Sequence, residues 1–177
     1  MHTRRYGSGL SLIELVVTLA VLGILVSIAV PRMTQFVERQ RLIGATNSLL
    51  NSMHYARSEA LKRSHRVTVC PSRDGLVCRD DGDWSEGWLL FADPAAAGEP
   101  QDVDALIAFE EMNARGITLT ANTPVRRYIS YVERGTTRRL SGALQMGSIR
   151  ICARGEGRRV IVSAVGRPRS EAIVCGG

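Results

Sequence analysis

The chain has 177 residues, room for one ordinary domain plus an appended segment, and its 45% hydrophobic content excludes wholesale disorder. A net charge of +6 arises from 23 basic residues, nearly all arginine, against 17 acidic ones, and favours an anionic partner without identifying it. The sign changes along the chain: residues 1–66 hold nine basic and three acidic side chains, 67–114 two and eleven, and 115–177 twelve and three.

Residues 10–30 are apolar except for Ser11, Glu14, Thr18 and Ser27. As a helix at about 1.5 Å per residue this stretch is long enough to cross a bilayer core. Arg4 and Arg5 precede it, which places the N-terminus in the cytoplasm and exports the C-terminal part of the chain. An ordinary secretory signal carries a small-residue cleavage site after its apolar stretch, and Ser27-Ile28-Ala29 offers only a weak one. Glu14 is the odd residue. A carboxylate in hydrocarbon is costly and usually functional, whereas one at the headgroup level costs little, and spacing leaves both readings open.

Gly9 followed by Leu10-Ser11-Leu12-Ile13-Glu14-Leu15 resembles the type III signal of type IV prepilins and type II secretion pseudopilins. The resemblance implies a leader, residues 1–9, removed by a prepilin peptidase that cuts after Gly9 and methylates the new N-terminus at Leu10. Leucine departs from the family's usual phenylalanine there. It also implies a membrane and assembly helix, residues 10–30, in which Glu14, the fifth mature residue, pairs with a neighbouring subunit's N-terminal amine. The partners are then other pilins in a filament. The location is the inner membrane, single-pass with an exported head, and afterwards the periplasm or a pilus on the cell surface. Pro31 matches the proline that commonly bends the pilin helix.

Beyond Pro31 the positions Phe36, Val37, Gln40, Ile43, Gly44, Leu49, Leu50, Met53 and Ala60 include the three-and-four spacing of an amphipathic helix, ending near Ser64. Its apolar stripe is the seam toward the rest of the protein. His54 and Tyr55 read as packing or surface residues rather than ligands.

From residue 65 the pattern changes to short alternating runs bounded by turns, at 66–70, 88–91, 105–109, 117–120, 127–132, 148–152, 159–164 and 171–175. The expected fold class is α+β: a long N-terminal helix, its first half transmembrane and 31–64 its amphipathic continuation, packed against a β-sheet-rich head, 65–177. Four cysteines fall in two close groups, Cys70 with Cys78 and Cys152 with Cys175. Two disulfides in an oxidising compartment is the reading, with buried free thiols as the alternative; neither the spacing nor a histidine pair supports zinc. Asp80, Asp81, Asp83 and Glu86 around Gly82 and Trp84 invite calcium, but the EF-hand pattern is absent. Trp84 and Trp88 read as core or loop anchors, and 92–102 as a loop. No nucleophile–histidine–acid arrangement, phosphate loop or metal-ligand spacing points to an enzyme or a cofactor.

Ala56-Arg57-Ser58-Glu59-Ala60, the strand Val67-Thr68-Val69-Cys70, and the run from Trp84 to Asp93 resemble landmarks of the GspH/FimT branch of this family. FimT-like members are minor pilins, some implicated in binding DNA for natural transformation through a C-terminal G-R-x-R motif. Gly166-Arg167-Pro168-Arg169 matches it. Arg158 and Arg159 precede the apolar run 160–165, Arg167 and Arg169 follow it, and Arg154 lies just upstream, so a hairpin is expected to gather these guanidiniums at one end. Such a group holds phosphates bidentately without reading bases. The competing reading is a solvated rim, or arginines paired with the acidic middle of the chain. Arg126, Arg127, Arg138 and Arg139 are secondary candidates, for DNA or for a pilin interface. Two functions therefore compete: a minor pilin that binds DNA for uptake, and a purely structural minor pilin or GspH-like pseudopilin of a secretion system.

Overall fold

The computed structural model describes residues 11–112 and 116–176, without the side chain of Pro31. One helix, α1 (Leu12–Arg63), is followed by eight strands: β1 (Val67–Pro71), β2 (Gly87–Ala92), β3 (Leu106–Glu111), β4 (Thr118–Ala121), β5 (Ile129–Tyr131), β6 (Gly147–Ala153), β7 (Glu156–Val162) and β8 (Arg169–Val174). The α+β expectation holds, and each expected run forms a strand within a few residues of its place. The largest shift is at β7, which starts at Glu156 because Arg154 and Gly155, both at positive φ, form a two-residue turn that pairs Ala153 with Glu156. Arg4, Arg5, Gly9 and Leu10 lie outside the described residues.

The chain divides into two compact units, Met1–Glu38 and Arg39–Gly177. In the first, the aliphatic side chains from Leu12 to Val30 are exposed all around the helix. A helix apolar on every side belongs in lipid or in a larger assembly. Its two hydroxyls are satisfied internally: Thr18 donates to the Leu15 carbonyl (2.9 Å) and Ser27 to the Ile24 carbonyl (2.7 Å). Among the described residues, nothing similar holds the Glu14 carboxylate.

The second unit is a head with its own core. Two antiparallel four-stranded sheets, ordered β3-β2-β1-β5 and β4-β6-β7-β8, pack with the second part of α1. The helix contributes Leu42, Ala45, Leu49, Met53, Ala56 and Ala60, a stripe at three- and four-residue spacing. This differs from the expected seam: Phe36 and Gly44 are exposed, and the buried phase runs through Leu42 and Ala45. Strand alternation supplies the rest of the core: Val67 and Val69, Trp88 and Leu90, Ile129 and Tyr131 from the first sheet, Leu119, Ile149, Ile151, Val160 and Val162 from the second. Trp84 and Trp88 are fully buried, as expected.

Both disulfides are present, Cys70–Cys78 and Cys152–Cys175. The first covers a smaller cluster of Cys70, Leu89 and Phe91 on the far face of the first sheet. The second joins β6 to the end of β8 across the intervening β7. It passes over Gly157, where a β-carbon would overlap the Cys175 Sγ.

Candidate nucleic-acid interface

The basic third of the chain is concentrated on the second sheet and its loops, and strand alternation sorts its arginines by face. In antiparallel pairs, residues in register share a face. Ile151, Arg158 and Ala172 are in register, as are Ile149, Val160 and Ser170; since Ile149, Ile151 and Val160 are buried, this is the inner face. Arg158 therefore turns inward at the sheet margin, where it donates to the Ser170 hydroxyl at 3.2 Å. Arg159 takes the opposite, outer face, in register with Arg150 on β6 and Glu171 on β8. Arg169 is also on the outer face, one row away, in register with Ile161.

The motif 166–169 is divided by burial. Gly166 and Pro168 are buried, Arg167 and Arg169 exposed. Two hydrogen bonds within the loop shape it, and two from Thr137 tie it to the head. The Gly166 amide donates to the Ser163 carbonyl (2.9 Å), and the Ser163 hydroxyl to the Arg167 carbonyl (3.0 Å). Thr137, fully buried, donates its amide to the Ala164 carbonyl (3.2 Å) and its hydroxyl to the Ser163 carbonyl (2.8 Å). The two guanidiniums thus project from an ordered turn.

The arginines do not gather at one end. Arg154 occupies the β6–β7 turn, whereas Arg167 is in the β7–β8 loop, and seven residues of strand at about 3.3 Å each separate these ends by roughly 20 Å. Arg158 and Arg159 are adjacent in sequence and so face opposite ways. The structure brings together Arg159, Arg169 and, near them, Arg167. It adds Arg150, which the sequence reading passed over although the alternation Ile149-Arg150-Ile151 already turned it outward.

Several acids of the chain's middle part are engaged elsewhere. Glu86 binds Arg73 (2.5 and 2.7 Å) and Arg79 (2.5 Å), Arg79 also binds Asp81, and the Arg73 hydrogen bond, with the charges of both arginines, holds Glu86 below the usual carboxylate range. Asp81 also lies below that range: burial opposes its charge, but the Asp83 amide and Arg79 outweigh it. Three of the four carboxylates that invited calcium, Asp81, Asp83 and Glu86, thus pair with two arginines of their own loop. Asp93 accepts from the Thr68 hydroxyl and from the amides of Ala97 and Gly98. On the sheet's basic strands Glu171 pairs with Arg159 at 3.3 Å, and Glu156 pairs with Arg39 of α1 at 2.7 Å. Among the described residues, Arg150, Arg167 and Arg169 form no ion pair.

Residues 45–166 match the family described as Type II transport protein GspH, and residues 4–30 the prokaryotic N-terminal methylation motif. The chain belongs to the GspH family. No curated protein matches it. Among solved structures, the type IV minor pilin FimU of Pseudomonas aeruginosa is 22% identical with a TM-score of 0.58, covering 78% of this chain and 96% of its own. The minor pseudopilin EpsH from the type 2 secretion system of Vibrio cholerae is 14% identical with a TM-score of 0.50, covering 75% of this chain and 97% of its own. At these identities the likeness is one of fold: a GspH-family head behind an apolar helix.

Proposed function

We propose that this GspH-family chain is a FimT-like minor pilin of a type IV pilus that binds DNA without sequence preference for uptake in natural transformation. A prepilin peptidase removes residues 1–9 after Gly9 and methylates Leu10. Residues 10–30 anchor the protein in the inner membrane with its head exported, and Glu14 guides assembly with other pilins. Residues 31–64 continue the helix into the head, 65–177. Arg167, Arg169 and Arg159 contact phosphates, with Arg158 and Arg154 as outlying contacts. The observation that supports this reading is the split within the motif, in which buried Gly166 and Pro168 hold Arg167 and Arg169 outward and unpaired. Guanidiniums on an ordered turn lose little freedom on binding and suit phosphate oxygens.

The test is fluorescence anisotropy of the full-length protein in detergent micelles with labelled duplexes of unrelated sequence. Binding should be similar for all of them and fall steeply with salt. The double variant R167Q/R169Q should lose binding while its melting temperature is unchanged. Failure of the unaltered protein to bind at low salt removes the uptake reading. The match to the GspH family and the EpsH-like fold favour the second reading, a purely structural minor pilin or pseudopilin, which that failure would leave standing.

A further inference from the structure

The outer face of the second sheet carries Arg150 on β6, Arg159 on β7 and Arg169 on β8, one on each of three consecutive strands. Arg150 and Arg159 are in direct register, an arrangement in which like charges destabilise a sheet. On its other side Arg150 has Thr120, which offers no charge. Glu171 offsets Arg159 alone. A like-charged cross-strand pair with a single carboxylate beside it, for two guanidiniums, is unfavourable for folding and favourable for holding an external anion. The strands lie about 4.8 Å apart, so the row spans roughly 10 Å, and Arg169 leads from it to Arg167 in the adjoining loop. Among the described residues, the same face presents threonine, serine, isoleucine and the Cys152–Cys175 bridge, and no aromatic side chain. Single strands are held largely by stacking bases on aromatic rings, which this face cannot do. A duplex keeps its bases stacked inside and can be held by its phosphates without such a platform.

We infer that this outer face, with Arg150 as a phosphate-binding residue, extends the Arg167/Arg169 loop into a track for the backbone of double-stranded DNA. The inference rests on the DNA-binding reading above and adds to it a residue, a direction and a preference for duplex. Glu171 is part of the device: it competes with phosphate for Arg159, so its removal strengthens binding.

The experiment uses the full-length protein in detergent micelles, with a labelled 30-base-pair duplex and a labelled 30-nucleotide single strand, each titrated across a salt series. R150Q should weaken duplex binding roughly three- to tenfold and lower the slope of log K against log salt by about one, while R150K keeps most of the affinity. E171Q should tighten duplex binding. Duplex should be preferred over single strand. Unchanged duplex affinity in both R150Q and E171Q, with binding still lost in R167Q/R169Q, overturns the track and leaves the DNA-binding function intact. Equal affinity for single strand overturns the duplex assignment. If R150Q instead abolishes self-association in sedimentation and spares DNA binding, the face takes a second copy and the inference fails. No binding by the unaltered protein at low salt overturns both readings together.

Discussion

Gly166 lies directly against the backbone of Gly135, so close that a β-carbon at 166 would overlap the Gly135 carbonyl. Both residues have positive φ, 76° and 70°, and Gly135 in turn packs beneath Arg57 and Leu61 of α1. The loop bearing Arg167 is thereby seated through one glycine on another that rests on the helix. Gly166→Ala must strain φ and push the two loops apart. It should cost about 1–3 kcal/mol by urea unfolding and weaken DNA binding although both arginines remain. Unaltered DNA affinity in a measurably destabilised variant would show that the loop position does not matter.

Gly157 is required for a different reason, the passage of the Cys152–Cys175 bridge over β7. Gly157→Val should leave Cys152 and Cys175 reduced, detectable by thiol labelling under denaturing conditions, while Cys70–Cys78 forms normally. Removing the longer-range bridge with Cys152→Ser/Cys175→Ser should cost more than Cys70→Ser/Cys78→Ser, since the sequence separations are 23 and 8. Loop-closure entropy puts the two at about 3.5 and about 2.5 kcal/mol.

Glu59 sets an acid limit on the head. It is 5% exposed and is approached by Arg63 Nε at 2.6 Å and Lys62 Nζ at 3.6 Å. The Arg63 hydrogen bond, opposed by burial, holds its carboxyl below the usual range. A lowered folded pKa stabilises above the ordinary glutamate value, about 4.3, and the contribution is lost as pH falls through the folded value. Glu86, Glu156 and Asp81 are lowered too, so they act in the same sense. Unfolding free energy should be flat from neutral pH to about 5 and fall below 4. Glu59→Gln should be less stable at pH 7 and show a shallower acid decline; an unchanged acid profile would refute the role of Glu59.

Glu14 is the one ionisable residue of the apolar stretch, in which Thr18 and Ser27 satisfy their own hydroxyls. Glu14→Val should insert in the membrane at least as well, because it removes a carboxylate worth a few kcal/mol on insertion scales. It should nevertheless be depleted from sheared filaments, measured by immunoblot against the membrane fraction. Normal incorporation would remove the assembly role.

Much of this fold was legible in the sequence because it is written in local periodicity. The apolar run of residues 10–30, the switch to alternation after residue 65 and the paired cysteines each depend on residues near one another in the chain. The helix seam was read less well. Phe36 and Gly44 fit a three-and-four spacing as well as Leu42 and Ala45 do, and only the sheets packed against the helix select the phase.

The helix, the eight strands and the arginine-rich motif can be read along the chain, since each rests on short-range spacing. Which arginines belong together depends on how the strands pair. Strand register turned Arg158 inward and Arg159 outward, strand length carried Arg154 away from Arg167, and pairing across β6, β7 and β8 brought in Arg150 from outside the motif. The tertiary structure likewise paired Asp81, Asp83 and Glu86 with Arg73 and Arg79 rather than with the basic loop. Faces, ends and ion pairs are properties of long-range pairing, and spacing along one chain does not contain them.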